Sequence, residues 1–235
     1  MIKLETHAHC LKGSRCASVP AEVLVSEYLK EGYGGLVITN HYSHSSFSSY
    51  PGDGKKEKLD FYFSLVNNLK TIGERENFRI YFGSEISAYS PDGCFSEYML
   101  YGFTEAFLYD SPLLYTLTQK ELFELADKNG LMLYQTHPFR NGVTVGNPRF
   151  MHGAESFNGH IGHTENNELA ESFCNKYSLI KMSGTDFHDS GQPITGGIFI
   201  PDNLADERAL TDYIRNNSVK LFCDETKLFL NQQKD

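Results

Sequence analysis

Residues 1–9 read MIKLETHAH, a short strand-like run from Ile2 to Leu4 followed by His7 and His9 two positions apart. In an extended chain residues i and i+2 point to the same side, so both imidazoles can grip one ion. The arrangement returns late in the chain. There GTDFHD places Asp186 and His188 two apart, just after the apolar run Leu179 to Met182. Between these ends, single polar residues follow other apolar runs: His41 after Leu36 to Thr39, Glu85 after Phe78 to Phe82, His137 after Leu131 to Tyr134, and Asn158 after Ala154 to Phe157.

Segments of helical period alternate with these runs. Pro20 to Glu31 has Pro near its first turn and Gly32 past its end, Glu57 to Arg75 carries Leu59, Phe63, Val66 and Leu69 at helical spacing, and Thr118 to Asn129 stops at Gly130. Glu165 to Tyr177 and Asp206 to Asn216 complete the set, with further strands expected at Tyr98 to Phe103, Gly197 to Ile200 and Val219 to Phe222. A strand–helix order throughout predicts a parallel sheet or barrel with helices outside, whose polar residues gather where the carboxyl ends of the strands converge. His41 to Lys56, HYSHSSFSSYPGDGKK, reads as a long loop of the kind that carries specificity.

The 235 residues suit one barrel-sized domain spanning 1–235, and 40% hydrophobic with 22% charged residues is an ordinary globular mixture. A net charge of −9 opposes a broad grip on nucleic acid, which needs many Lys and Arg against phosphates. The opening MIKLETHAHC has no basic segment leading into an apolar run, and no stretch approaches the roughly 20 apolar residues of a membrane span. The expected location is therefore the cytoplasm. Five scattered cysteines without a C-x-x-C pair are read as reduced; Cys10 and Cys16 flank the first histidine pair, where ligands or redox-sensitive thiols are the alternative, and are taken as small buried hydrophobes.

Imidazoles from His7, His9, His137 and His188 mixed with the Glu85 and Asp186 carboxylates suit Zn, Mn or Fe at a catalytic site with open positions. A carboxylate such as Glu85 can bridge two ions, and such a pair suits phosphate ester hydrolysis.

The chain resembles the PHP (polymerase and histidinol phosphatase) family, whose motifs it presents in order: ETHAH (Glu5–His9), VITNH (Val37–His41), GSE (Gly83–Glu85), THPFR (Thr136–Arg140) and GTDFH (Gly184–His188), with ESFN (Glu155–Asn158) resembling an intermediate signature. The resemblance implies an α/β fold, a distorted (β/α)7 barrel with up to three divalent ions at its mouth. It further implies a first site from His7, His9, Glu85 and Asp186, a second from His137 and bridging Glu85, and contributions from His41 and His188 to a third. Glu5 and Asn40 stand where the family more often has aspartates and look like residues that orient the ligand imidazoles.

The chain also departs from the family. HCLKGSRCAS lacks the His or Asp that commonly helps hold the third ion, with Arg15 close to that place, and Tyr98 is the nearest counterpart of a family histidine in EYMLYGF. Two ions are accordingly expected rather than three. Arg15 and Arg140 are the expected phosphate contacts. His44, His152, His160 and His163 read as exposed or hydrogen-bonded, His160 being the strongest outsider. The expected activity is hydrolysis of a small phosphorylated substrate by a metal-bound hydroxide. Hydrolysis of a C–N or carboxylic ester bond and a non-catalytic metal-binding regulatory role stay open beside it.

Overall fold

The structure, a computed structural model, describes residues 1–89 and 94–232, with side chains to residue 228. The first half of the chain runs β1 (Ile2–Ala8), α1 (Ala21–Lys30), β2 (Gly35–Ile38), β3 (His41–Tyr42), α2 (His44–Ser49), α3 (Lys55–Arg75), β4 (Arg79–Tyr89) and β5 (Phe95–Tyr101). It continues with α4 (Glu105–Asp110), α5 (Gln119–Lys128), β6 (Met132–Gln135), β7 (Gly153–Asn158), α6 (Asn167–Tyr177), β8 (Ile180–Gly184), β9 (Gly196–Ile200), α7 (Glu207–Asn216), β10 (Lys220–Cys223) and α8 (Glu225–Gln232).

Among the described residues the strands form one sheet in the order β10-β9-β1-β2-β4-β5-β6-β7-β8, with β3 paired to β4. The sheet curls into a barrel that closes at its mouth. Beyond β8, the Phe187 N–H donates to the His7 carbonyl at 3.2 Å and the His9 N–H donates to the Phe187 carbonyl at 2.9 Å. The two ends of the metal-ligand reading, His7/His9 and Asp186/His188, are thereby stitched together by backbone.

The barrel is distorted in a definite way. β1, β2 and β4 are parallel, as are β6, β7 and β8, but β5 runs antiparallel to both β4 and β6, and β9 runs antiparallel to β1 and β10. Strict strand–helix alternation therefore fails at β4–β5. The few residues between Tyr89 and Phe95 cannot make the crossover of a dozen or more that parallel strands require.

Strand alternation sorts the core into two layers. Leu4, Val37, Tyr81, Met99, Tyr101, Met132, Tyr134 and Met182 pack together as the barrel filling, joined by Leu210 and Ile214 of α7. Tyr98 and Leu100, the alternate residues of β5, join the layer between sheet and helices. α3 buries Leu59, Tyr62, Phe63, Val66 and Leu69 in that layer at helical spacing. Each such side chain contributes about 1.5–3 kcal/mol. α5 starts at a reciprocal cap between Thr118 and Glu121.

The expected loop from His41 to Lys56 is largely ordered structure instead. Ser43 Oγ accepts from the Ser46 N–H at 3.1 Å and starts α2, Phe47 is buried against Tyr42 and Tyr50, and β3 pairs His41 with Glu85. That last pairing delivers two candidate ligands side by side.

Candidate metal centre

His7 and His9 lie on the last turn of the pleat in β1 and just beyond it, and both are fully buried. Each ring has its Nδ1 occupied: His7 Nδ1 donates to Glu155 Oε1 at 2.8 Å, and His9 Nδ1 pairs with Ser14 Oγ at 2.8 Å. The lone pairs at Nε2 are left facing one point. Around it, His7 Nε2 and His9 Nε2 are 3.1 Å apart, Glu85 Oε2 is 3.4 and 3.3 Å from them, and Asp186 Oδ1 is 3.1 and 3.3 Å away. Donors held about 2.1 Å from a tetrahedral ion stand about 3.4 Å apart. These four donors fit a cation better than they fit one another, and Asp186 Oδ1 is buried without a hydrogen-bond partner among the described residues.

Glu85 reaches a second group with both of its oxygens. His137 Nε2 is 3.1 Å from Glu85 Oε1 and 3.6 Å from Glu97 Oε2, while His41 Nδ1 is 3.1 Å from Glu85 Oε2 and 3.5 Å from Glu97 Oε1. A third group gathers nitrogens of His9, His41 and His188 within 4.8 Å of one another. His188 Nδ1 donates to the main-chain oxygen of Asp186 at 2.9 Å, which leaves the lone pair of its Nε2 facing the pocket.

All seven residues read as metal ligands, His7, His9, His41, Glu85, His137, Asp186 and His188, thus converge. His137 and Asp186 do so with left-handed backbone, at φ 30° and 56°. Such conformations are expensive for non-glycine residues, of order 1–3 kcal/mol, and cluster where function demands them. The Glu155 carboxylate accepts from the His137 N–H at 2.9 Å and helps hold that turn.

The electrostatics match the geometry. Burial would depress His7, but Asp186, Glu155 and Glu85 outweigh it and hold its pKa well above the usual imidazole range. Burial would raise Glu85 and Asp186. His7 and His41 instead pull Glu85 well below the ordinary carboxylate range, and His7 and Arg140 do the same for Asp186. A field that favours a proton on His7 also favours a cation at its Nε2.

The residues expected to orient ligands divide differently from the sequence reading. Glu5 accepts from the backbone N–H groups of Thr6, His7 and Thr185 and from Tyr28 Oη, so it sets the β1 backbone rather than a ring. Asn40 Oδ1 accepts from the Cys10 N–H at 3.0 Å, and a Cβ on Gly13 would fall 2.1 Å from Asn40 Nδ2. Asn40 therefore shapes the turn that carries Ser14, and Ser14 and Glu155 touch the rings.

Arg140 lies across the mouth. Its Nη2 donates to Asp186 Oδ2 at 2.5 Å and Asn158 Oδ1 at 3.2 Å, and its Nε donates to Glu165 at 2.9 and 3.0 Å. Arg15 points elsewhere: Nη1 donates to Ser45 Oγ at 3.1 Å, and the residue borders an adjoining pocket of about 560 Å³ rather than the 240 Å³ pocket over the ligands. His160 and His163 line the smaller pocket, ring centroids 4.7 Å apart, with burial lowering His160 to about 4.

Two positions correct the sequence reading. Glu97, not Tyr98, faces the centre from β5, because alternation sends Tyr98 outward into the helix-facing layer. Cys16, not Arg15, meets the third group: its Sγ is 3.1 Å from His188 Nε2, and it is exposed rather than a buried hydrophobe. Cys10 is buried as expected. The alternation of β5, anchored on Met99 and Tyr101, was a usable signal for Glu97. Cys16 left none.

No family model and no curated protein sequence matches the chain. Solved structures do. A two-domain protein from Bacteroides vulgatus containing a predicted PHP-like metal-dependent phosphoesterase aligns with TM-score 0.65 and 18% identity over 97% of this chain and 69% of its own. PsfC from Pseudomonas syringae aligns with TM-score 0.69 and 15% identity over 99% and 95%. An amidohydrolase from Chromobacterium violaceum, with bound sulfate, aligns with TM-score 0.57 and 11% identity over 85% and 92%. These likenesses show the fold, an α/β barrel shared with the predicted PHP-like phosphoesterase protein, with PsfC and with the amidohydrolase.

Proposed function

We propose that this chain is a metal-dependent hydrolase that cleaves a phosphoric ester of a small substrate. The observation that carries the reading is the buried donor set of His7, His9, Glu85 and Asp186, continued through Glu85 into a second group and roofed by Arg140. Bound Zn, Mn or Fe ions would lower the pKa of water to about 7 and neutralise phosphoryl oxygens.

The chain's own residues supply the rest. Glu85 and Asp186 hold charge at fixed points inside the barrel mouth, and Glu155 and Ser14 fix the tautomers of His7 and His9 so that Nε2 faces inward. Arg140, clamped through Nε and Nη2 by Glu165, Asn158 and Asp186, places a fixed positive charge at the edge of the pocket, suited to a phosphoryl group whose charge grows in the transition state. That guanidinium favours a phosphoric over a carboxylic ester. The departures at Arg15 and Tyr98 motivate a non-catalytic reading, but Glu97 and Cys16 put donor atoms beside those places.

The test is turnover of metal-quantified protein on phosphomonoesters, phosphodiesters, and carboxylic and amide esters, with Mn, Zn and Fe supplied separately. Metal-dependent phosphate release that disappears in Asp186→Asn is expected. Cleavage of carboxylic or amide esters alone would overturn the phosphoryl assignment, and bound metal with no turnover on any class would overturn the hydrolase itself.

A further inference from the structure

We infer that Cys16 is a thiolate ligand that, with His41 and His188, completes a further metal site at the rim of the centre. This deepens the hydrolase reading by adding an ion of different ligand chemistry to the same mouth.

The third group of nitrogens belongs to His9, His41 and His188. His9 Nε2 is 3.3 Å from both Glu85 Oε2 and Asp186 Oδ1, which commits its lone pair to the first group, while His41 meets Glu85 and Glu97 through Nδ1 and has its Nε2 left for a neighbour. His41 and His188 then lack a third donor. Cys16 supplies it, with Sγ 3.1 Å from His188 Nε2 and in the lining of the pocket it shares with His41 and His188. His188 has spent its Nδ1 proton on the Asp186 carbonyl, so a lone pair at Nε2 faces the sulfur. Three residues from three separate segments, the turn after β1, β3 and the turn after β8, thus line one pocket, and both pockets at the mouth include Cys16 and His41.

The neighbouring cation does not compete. Arg15 turns its guanidinium to Ser45, out of the group. Metal binding converts the Cys16 thiol to a thiolate: the S–H proton leaves to solvent as the sulfur lone pair bonds to the metal, with no redox change. Two imidazoles and one soft sulfur select Zn or Fe(II) over Mn or Mg, whereas the carboxylate-rich groups around Glu85 and Glu97 do not. One mouth would then hold ions of unlike preference, and its occupancy would depend on the state of one exposed thiol.

The experiment uses the full chain stripped with chelator and reloaded with cobalt(II) alone, without substrate. Wild type should show the near-ultraviolet thiolate-to-cobalt charge-transfer band, Cys16→Ser should lose it, and Cys10→Ser should keep it. Zinc bound to Cys16→Ala, counted by plasma mass spectrometry, should fall by about one ion per chain. Because Cys16 is exposed, both Cys16 variants should melt with wild type, which separates ligand loss from misfolding. A cobalt-loaded wild type without the band, a band that survives in Cys16→Ser, or unchanged zinc in Cys16→Ala would each overturn the inference. The band without turnover on any ester would sink the hydrolase reading and leave this site standing; turnover without the band would do the reverse.

Discussion

His7 Nδ1 and Glu155 Oε1 meet at 2.8 Å across 148 residues of chain, both side chains fully out of solvent. Glu155 is an orienting partner: it holds the ring so that Nε2 faces Glu85, Asp186 and His9, and its second oxygen accepts from the His137 N–H and Asn158 Nδ2. Glu155→Gln keeps the shape but removes the charge that favours the ligand tautomer. Metal affinity should fall roughly 10–100-fold. Titration of chelated protein with zinc or manganese reads this directly; unchanged affinity would assign Glu155 a purely structural place.

Glu97 and Tyr98 are neighbours in sequence with opposite expected outcomes. Glu97→Gln should weaken the group that contains His41, His137 and Glu85 by roughly tenfold or more, since it removes a charged donor 3.5–3.6 Å from both imidazoles. Tyr98→Phe alters the outer layer and should leave metal binding as it is. Equal losses in the two variants, measured by metal retained after dialysis, would contradict the direction assigned to β5.

Arg140 is held by Glu165, Asn158 and Asp186, and its positive charge is strongly favoured there by the two carboxylates despite burial. Arg140→Ala should lower kcat by about 10²–10³ if it stabilises charge growing on the phosphoryl group. Arg140→Lys should recover little of it, because a single ammonium cannot reproduce the planar fork. A steady-state comparison in which only KM moved would place Arg140 in ground-state binding instead.

Glu165 carries a pH dependence. Burial pushes its carboxyl up to about 7, against the pull of Arg140, from an ordinary value of 4.5. The folded state therefore holds the proton more tightly than the unfolded chain. Its contribution to stability is complete below about pH 4.5 and is lost as pH rises through about 7, a change on the order of 3 kcal/mol. Urea unfolding of chelated wild type and Glu165→Gln at about pH 5 and about pH 8 should show wild type losing ground to the variant on going to the higher pH. Parallel behaviour of the two proteins would refute the shift.

Much of the centre was legible because its ligands follow strands. Strand-like runs are read around residues 4, 39, 82, 134 and 182, and the structure places β1, β2, β4, β6 and β8 there; β1 and β4 run on past the expected ends, so His7 and Glu85 lie inside strands, while His41, His137 and Asp186 come just past β2, β6 and β8. The exceptions have physical causes. Asp186 is not extended but left-handed, so it and His188 face different groups instead of one ion from the same side. The polar stretch after His41 reads as loop by composition, yet its serines cap a helix and its aromatic residues bury.

The sequence by itself determined the elements, the ligand types and their placement at strand ends, since periods of 2 and 3.6 are properties of local backbone. Only the tertiary structure decided that β5 runs antiparallel and turns Glu97 inward, that the turn after β1 brings Cys16 rather than Arg15 to His188, and that Glu155 reaches His7. These choices depend on strand order, direction and barrel closure, which join residues far apart in the chain.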